Sequence, residues 1–286
     1  MNAREKSRAR LMLRGEKAAG LSDIPAPRMP RTRSSKPAAV ESGLAPTPKP
    51  ISAPRAAVSA DAPKAAALFQ PAVAEITVLG GEVHDTDTKR SLLEELDRTQ
   101  VRGCTRCRLC ETRTNTVFGE GDVDAKILFI GEGPGETEDL QGRPFVGRAG
   151  QLLDKMIAGM GLQRGQVFIV NIVKCRPPNN RVPAPDEVAT CTPYLVRQIE
   201  IIRPKVIVTL GLPSTQYMLQ TKLSMGKMRG QWQTWRSIKL MPTYHPAYVL
   251  RNPTVETRAA VWSDLKMVLT ELGLTPPSKK NSASGE

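Results

Sequence analysis

From Ser91 onward, apolar residues gather into two kinds of pattern that alternate along the chain. Ile127 to Ile130 in AKILFIGEG, then VFIVNIV, KVIVTLG and IKLMPTYHP, are short, nearly continuous apolar runs, the signature of strands buried on both faces. Between and around them lie helical spacings. SLLEELDRTQ repeats Leu92, Leu93 and Leu96, and AGQLLDKMIAGMGL puts Leu152, Leu153, Met156 and Ile157 on one face. DEVATCTPYLVRQIEII and TVETRAAVWSDLKMVLTEL predict two longer helices, and GLPSTQYMLQ a short one. Strands alternating with helices predict an α/β domain with a largely parallel sheet covered on both faces. Sites in such sheets lie beyond the carboxyl ends of the strands. The strand ends carry unusual polar text here: GEGPGE, NIVKCRPPNN and YHPAYVLR.

The pattern stops toward both termini. Residues 1 to 90 are rich in Ala, Pro, Ser, Lys and Arg with little apolar periodicity, so they read as a disordered basic arm and linker, with a short helix in REKSRARLMLRGEKAAG. Residues 91 to 275 form the predicted domain, and residues 276 to 286 a disordered polar tail. The net charge of +13 over 286 residues points to a polyanionic partner, nucleic acid before membrane. No run approaches the roughly 18 apolar residues of a membrane span, and the start lacks the apolar segment of a secretory signal. A reducing cytoplasm is therefore the expected compartment. There the five cysteines suggest metal or cluster chemistry before disulfides.

Three of those cysteines crowd into VRGCTRCRLC, where two CxxC pairs overlap at Cys107. Cys175 and Cys191 follow much later. Four thiolates suit a structural zinc or an iron–sulfur cluster, but the second pair has no knuckle spacing and reads as a loop and helix closing over a cluster. GEGPGETED is neither a dinucleotide fingerprint nor a phosphate loop. Its Glu132 stands one residue past a strand end. Phe145 sits in a Gly- and Pro-bounded loop, as a core plug or a stacking platform. Asn171 ends a strand, and its amide can donate and accept at once, which suits reading a base edge. His245 also ends a strand. Beyond it Val249, Leu250 and Arg251 combine an apolar tip with a cation, the make-up of a wedge for a base stack. Arg143, Arg148, Lys174, Arg176 and Arg251 lie within or beside these motifs as candidate phosphate contacts.

Taken in order, GEGPGETED, GRPFVGRAGQLLD, NIVKCRPP, CTPYL and HPAYVLRNP resemble the family-4 uracil-DNA glycosylases, the iron–sulfur branch of their superfamily. The resemblance runs from about Leu96 to Leu272 and does not reach the arm. It implies a three-layer α/β/α sandwich around a mostly parallel four-stranded sheet. It implies a monomeric, monofunctional enzyme of base excision repair that flips deoxyuridine out of single- or double-stranded DNA and hydrolyses its N-glycosidic bond. Glu132 would position water and stabilise the cationic sugar, and His245 would donate to uracil O2. Phe145 would stack on the base, Asn171 would bond its edge, Gly133 would line the same pocket, and Glu138 would help exclude a thymine methyl. Cys104, Cys107, Cys175 and Cys191 would hold a structural [4Fe–4S] cluster, which leaves Cys110 an extra thiol. GRPFVGRAGQLLD lacks the His-bearing insertion of a branch that binds uracil covalently. The rival reading is a non-enzymatic cluster protein that binds DNA as a repair or replication accessory.

Overall fold

The computed structural model describes residues 82–277. Residues 1–81 of the predicted arm, its short helix and nearly all of the tail lie outside those residues. The first helix, α1 (Thr86–Leu96), starts before the predicted Ser91 because the Asp85 carboxylate accepts from the Thr88 amide at 2.8 Å and caps it. A π-helical turn over Asp97–Val101 delivers the chain to the cysteine run.

The strands are β1 (Glu120–Gly121), β2 (Ile127–Gly131), β3 (Phe168–Asn171), β4 (Val206–Leu210), β5 (Gln233–Trp235) and β6 (Ile238–Thr243). They form one sheet in the order β1-β3-β2-β4-β6-β5. The inner four are the predicted strands, paired parallel, with Ile130 opposite both Val170 and Thr209. The expectation of four strands is corrected to six. The two additions are antiparallel edges, paired as Glu120 with Ile169 and as Thr234 with Lys239, and both are too short and polar to leave an apolar run.

Alternation along the buried strands divides the core into two layers. Ile127, Phe129, Ile169, Val208 and Met241 face α3 (Arg148–Gly159) and α8 (Val255–Glu271), meeting Leu153, Met156, Trp262 and Leu265. Leu128, Ile130, Val170, Ile207 and Leu240 face α1 and α4 (Pro185–Ile202), meeting Leu93, Leu96, Leu195 and Ile199. The result is the three-layer α/β/α arrangement. The short helices α2 (Glu136–Gln141), α5 (Leu212–Leu219), α6 (Met225–Met228) and α7 (Pro246–Arg251) all follow strand ends or the loops beside them. From β2 the chain crosses to β3 through α3 on one face, and from β3 to β4 through α4 on the other. The order of strands therefore reverses at β2, and the crevice beyond its end is where a ligand site belongs.

Candidate active site

A cleft of about 960 Å³ opens at that point, lined by Glu132, Gly133, Glu138, Phe145, Asn171 and His245 among others. Glu132, Gly133, Glu138 and Phe145 follow β2, Asn171 ends β3 and His245 follows β6, so the parallel sheet gathers residues that are far apart in sequence. Close packing at the floor depends on two glycines. A Cβ at Gly131 would collide with the Asn171 side chain and the Phe145 ring, and one at Gly211, whose φ is +92°, would stand 2.9 Å from His245 Cβ.

Phe145 itself has φ +49°, in the left-handed region that a bulky residue avoids. The surroundings hold it there. Arg164 donates to the carbonyls of Pro144 and Phe145, and the Glu138 carboxylate accepts from the amides of Val146 and Gly147 at 2.9 and 2.8 Å. Glu138 lines the cleft, but one of its oxygens is engaged in holding the loop. The ring of Phe145 lies 5.6 Å from that of His245, centroid to centroid.

Asn171 is buried, and its Oδ1 has no hydrogen-bond partner among the described residues. A buried unsatisfied acceptor costs about 1 to 3 kcal/mol, so this pocket is built for a donor it does not itself contain. His245 offers the opposite polarity. Its Nδ1 accepts from the Ala247 amide at 3.1 Å as the cap of α7. Burial, aided by the charge of Arg251, pushes the imidazole down to about 4. The ring is therefore neutral near pH 7, with its proton on Nε2 as a donor. Glu132 makes no hydrogen bond or ion pair through its carboxylate among the described residues, and burial raises its pKa above the ordinary 4.5. An acceptor, a neutral donor and an unpaired carboxylate thus surround one pocket.

The predicted DNA contacts sort differently. Arg148 and Arg251 line the cleft and form no ion pair among the described residues. Arg181, which the motifs did not single out, joins them on the cleft wall. Arg143 lies outside the cleft lining and holds Glu120 with bonds of 2.8 and 3.0 Å; Arg176 bonds Asn180 at 2.7 Å. Lys174 is a correction. It is 1% exposed, its Nζ donates to the Asn171 carbonyl at 2.8 Å and to Gln198 at 2.7 Å, and burial lowers its pKa to about 7. It cannot reach a phosphate. Val249 is a second correction, because helical spacing in α7 turns it into the core at 0% exposure, and Leu250 is partly buried against the same layer. The exposed large apolar or aromatic side chains of the cleft lining are Val182, Tyr248 and Leu212.

On the α4 face, Cys104, Cys107, Cys175 and Cys191 line one small cavity, and Cys110 stays outside its lining. Donors already point at the sulfurs: Arg113 to Cys175 at 3.0 Å and the Lys174 amide to Cys191 at 3.2 Å, with the Tyr194 hydroxyl 3.4 Å from Cys104. Among the described residues no group of three or more His, Cys, Asp or Glu is gathered tightly enough for one metal ion. Glu187 ties the two halves of this region together. Buried on α4, it takes Arg108 from the cysteine run at 2.8 Å and Arg181 from the loop after Cys175 at 2.8 and 2.6 Å. Arg181, with Arg108 and the Ala184 amide, holds its carboxyl down at about 2.

Against this geometry stand the relatives. The family model of the uracil DNA glycosylase superfamily matches residues 118–266. The chain belongs to that superfamily. Within it, the chain is 48% identical to the type-4 uracil-DNA glycosylase of Saccharolobus solfataricus, over 67% of this chain and 92% of that one. It is 49% identical to the type-4 enzyme of Thermotoga maritima, over 62% of this chain and 93% of that one. A type-5 uracil-DNA glycosylase of Pyrobaculum aerophilum matches at 29% identity, over 49% of this chain and 71% of that one. The superfamily member described here thus stands with the type-4 branch. The family match begins at residue 118, so it leaves out Cys104 and Cys107. Among the described residues no helix is long and apolar enough to cross a membrane.

Proposed function

We propose that the chain is a uracil-DNA glycosylase that extrudes deoxyuridine from DNA and hydrolyses its N-glycosidic bond, leaving an abasic site for base excision repair. The single observation that carries this reading is Asn171, whose buried Oδ1 has no partner among the described residues, in a cleft also lined by the neutral His245 and the unpaired carboxylate of Glu132. Uracil presents an N–H donor flanked by two carbonyl acceptors. Asn171 Oδ1 takes the N–H, and His245 Nε2–H donates to O2. Phe145 supplies the flat apolar wall on which the base lies, with Gly133 completing the same pocket.

The chemistry follows from where charge develops. The bond from the sugar C1′ to uracil N1 breaks with both electrons going to the base, whose negative charge spreads to O2. A neutral donor positioned there is typically worth about 100- to 1,000-fold in rate. The sugar becomes cationic, and the ionised Glu132 stabilises it as a carboxylate does in glycosidases. Water then adds to C1′, and its proton leaves toward Glu132 or solvent. Extruding the base costs a few kcal/mol, recovered in part by satisfying Asn171. Glu138 and Arg164 act at one remove, by holding the strained Phe145 loop. Arg148 and Arg251 hold DNA phosphates, with an affinity that falls as salt rises.

We assign Cys104, Cys107, Cys175 and Cys191 to a [4Fe–4S] cluster. All four line one small cavity, and N–H donors point at two of the sulfurs, which suits the thiolates of a cluster. When bound, the cluster would supply a cross-link that fixes the cysteine run and the Cys175 loop to α4. No step at C1′ requires it. We take residues 91 to 275 as the catalytic domain and the basic arm as a separate segment.

The test is incubation of the purified protein with a single-stranded oligonucleotide carrying one uracil, followed by alkali. Cleavage at that position is expected, and Asn171→Ala should lower kcat/KM by about 10- to 100-fold, the worth of one buried hydrogen bond. An intact oligonucleotide would instead favour the accessory DNA-binding role.

A further inference from the structure

The cleft lip carries an aromatic pair that the chemistry above does not use. Tyr244 and Tyr248 stack with centroids 4.8 Å apart and planes 23° from parallel. Tyr244 packs against the core and also carries the Arg229 guanidinium, 5.4 Å from its ring centroid. Arg229 is itself fixed by bonds to Asp264 at 2.7 and 3.2 Å and to the Ala260 carbonyl at 2.6 Å. Tyr244 is thus a rigid base for Tyr248. Tyr248 is 38% exposed, and both tyrosines line the cleft, Tyr244 one residue before His245 and Tyr248 three residues after it.

A stacked tyrosine with open ring surface is an unusual thing to leave at the mouth of a cleft, because the ring buries less area than it could. Arg251 sits three residues further along α7, on the same side of that helix, lines the cleft and makes no ion pair among the described residues. An exposed aromatic face beside a free cation is the pairing that holds a single-stranded nucleotide, base on ring and phosphate on cation.

We propose that Tyr248, backed by Tyr244, is a stacking platform for the base adjacent to the extruded uracil, with Arg251 on the intervening phosphate. This rests on the uracil-DNA glycosylase reading. It assigns a subsite for one flanking nucleobase, indifferent to base identity because every base presents a π face. It differs from an apolar wedge driven into a duplex. A wedge needs bulk and no planarity, and of the apolar residues next in sequence Val249 is in the core and Leu250 is partly buried against it.

The experiment measures kcat/KM on single-stranded oligonucleotides with one uracil, flanked on each side in turn by a natural base or by a baseless spacer. Wild-type protein should excise uracil beside a base about 5- to 150-fold faster than beside a spacer on one of the two sides, the range one stacked base spans. Tyr248→Ala should lose that preference, falling on the base-flanked substrate and barely changing on the spacer substrate, while Tyr248→Phe keeps it. A Tyr248→Leu protein that retains full preference would overturn the platform in favour of a wedge. So would a Tyr248→Ala protein that loses activity equally on both substrates, with the same melting temperature as wild type. Wild-type protein that excises uracil with no flank preference sinks the platform alone; wild-type protein that excises none sinks the glycosylase reading.

Discussion

Replacing Glu187 by Gln tests whether one buried carboxylate holds the cysteine region together. Glu187 is fully buried, accepts from Arg108, Arg181 and the Ala184 amide, and its carboxyl is held at about 2 where an ordinary one titrates near 4.5. At about 1.4 kcal/mol per pH unit, that difference corresponds to a ceiling of about 3 kcal/mol. Both arginines reach solvent, at 56% and 40% side-chain exposure, so screening leaves about 1 to 2 kcal/mol. The sign follows from linkage. A carboxyl with a depressed folded pKa contributes stability that is complete above about 4.5 and is lost as pH falls through about 2. Urea unfolding of the wild type and Glu187→Gln should therefore show a gap of about 1 to 2 kcal/mol at pH 7 that narrows below pH 4.5. Taken as a difference, effects of pH common to both proteins cancel. A gap under about 0.5 kcal/mol at pH 7, or one that widens in acid, would refute the assignment of Glu187 as the tie between the cysteine run and α4.

Activity should depend on pH through Glu132 and not through His245. Burial raises the Glu132 carboxyl above 4.5, so kcat should fall on the acid side with a midpoint above that value, and a pH–rate profile of Glu132→Gln should lose this limb. His245 is already neutral above about 4, so no inflection near the usual imidazole value of about 6.5 is expected. Gly131→Ala places a methyl between Asn171 and Phe145, both buried, and should raise KM, lower kcat and lower the melting temperature together. Cys110→Ala should keep the brown colour and thiolate-to-iron absorbance of a cluster protein, whereas Cys107→Ala should lose both, because only the latter sulfur lines the shared cavity.

The sequence showed the four inner strands because strands covered on both faces leave nearly continuous apolar runs. It could not show β1 or β5, whose pairing is a property of the neighbouring strand's edge more than of Glu120–Gly121 or Gln233–Trp235 themselves. The polar helix α2, ETEDLQ, left no periodicity to read. At the site, residues that stand at strand ends could be singled out from position alone, as Glu132, Asn171 and His245 were. Residues that act by holding others could not. Arg164 reaches back to Glu120 and to the Phe145 loop, and Glu187 to Arg108, over separations of tens of residues that no local motif encodes. Lys174 was misread for the converse reason. A cation in a strand-end motif suggests phosphate, but its acceptors, Asn171 and Gln198, are internal. The apolar tip after His245 failed at Val249 because one turn of helix returns a side chain to the core.

Lys174 also gives the short link from Asn171 to Cys175 a particular weakness. Within five residues the chain carries the base-reading amide, a buried ammonium bonded to that residue's own carbonyl, and a thiol of the second cavity, with the Lys174 amide on a further thiol. No spacer separates the two cavities that could absorb a shift in one of them. With Asn171 in its proposed role, a displacement of Cys175 or Cys191 would pass through Lys174 to the group that reads the base, so the cysteine cavity and the cleft form one mechanical unit.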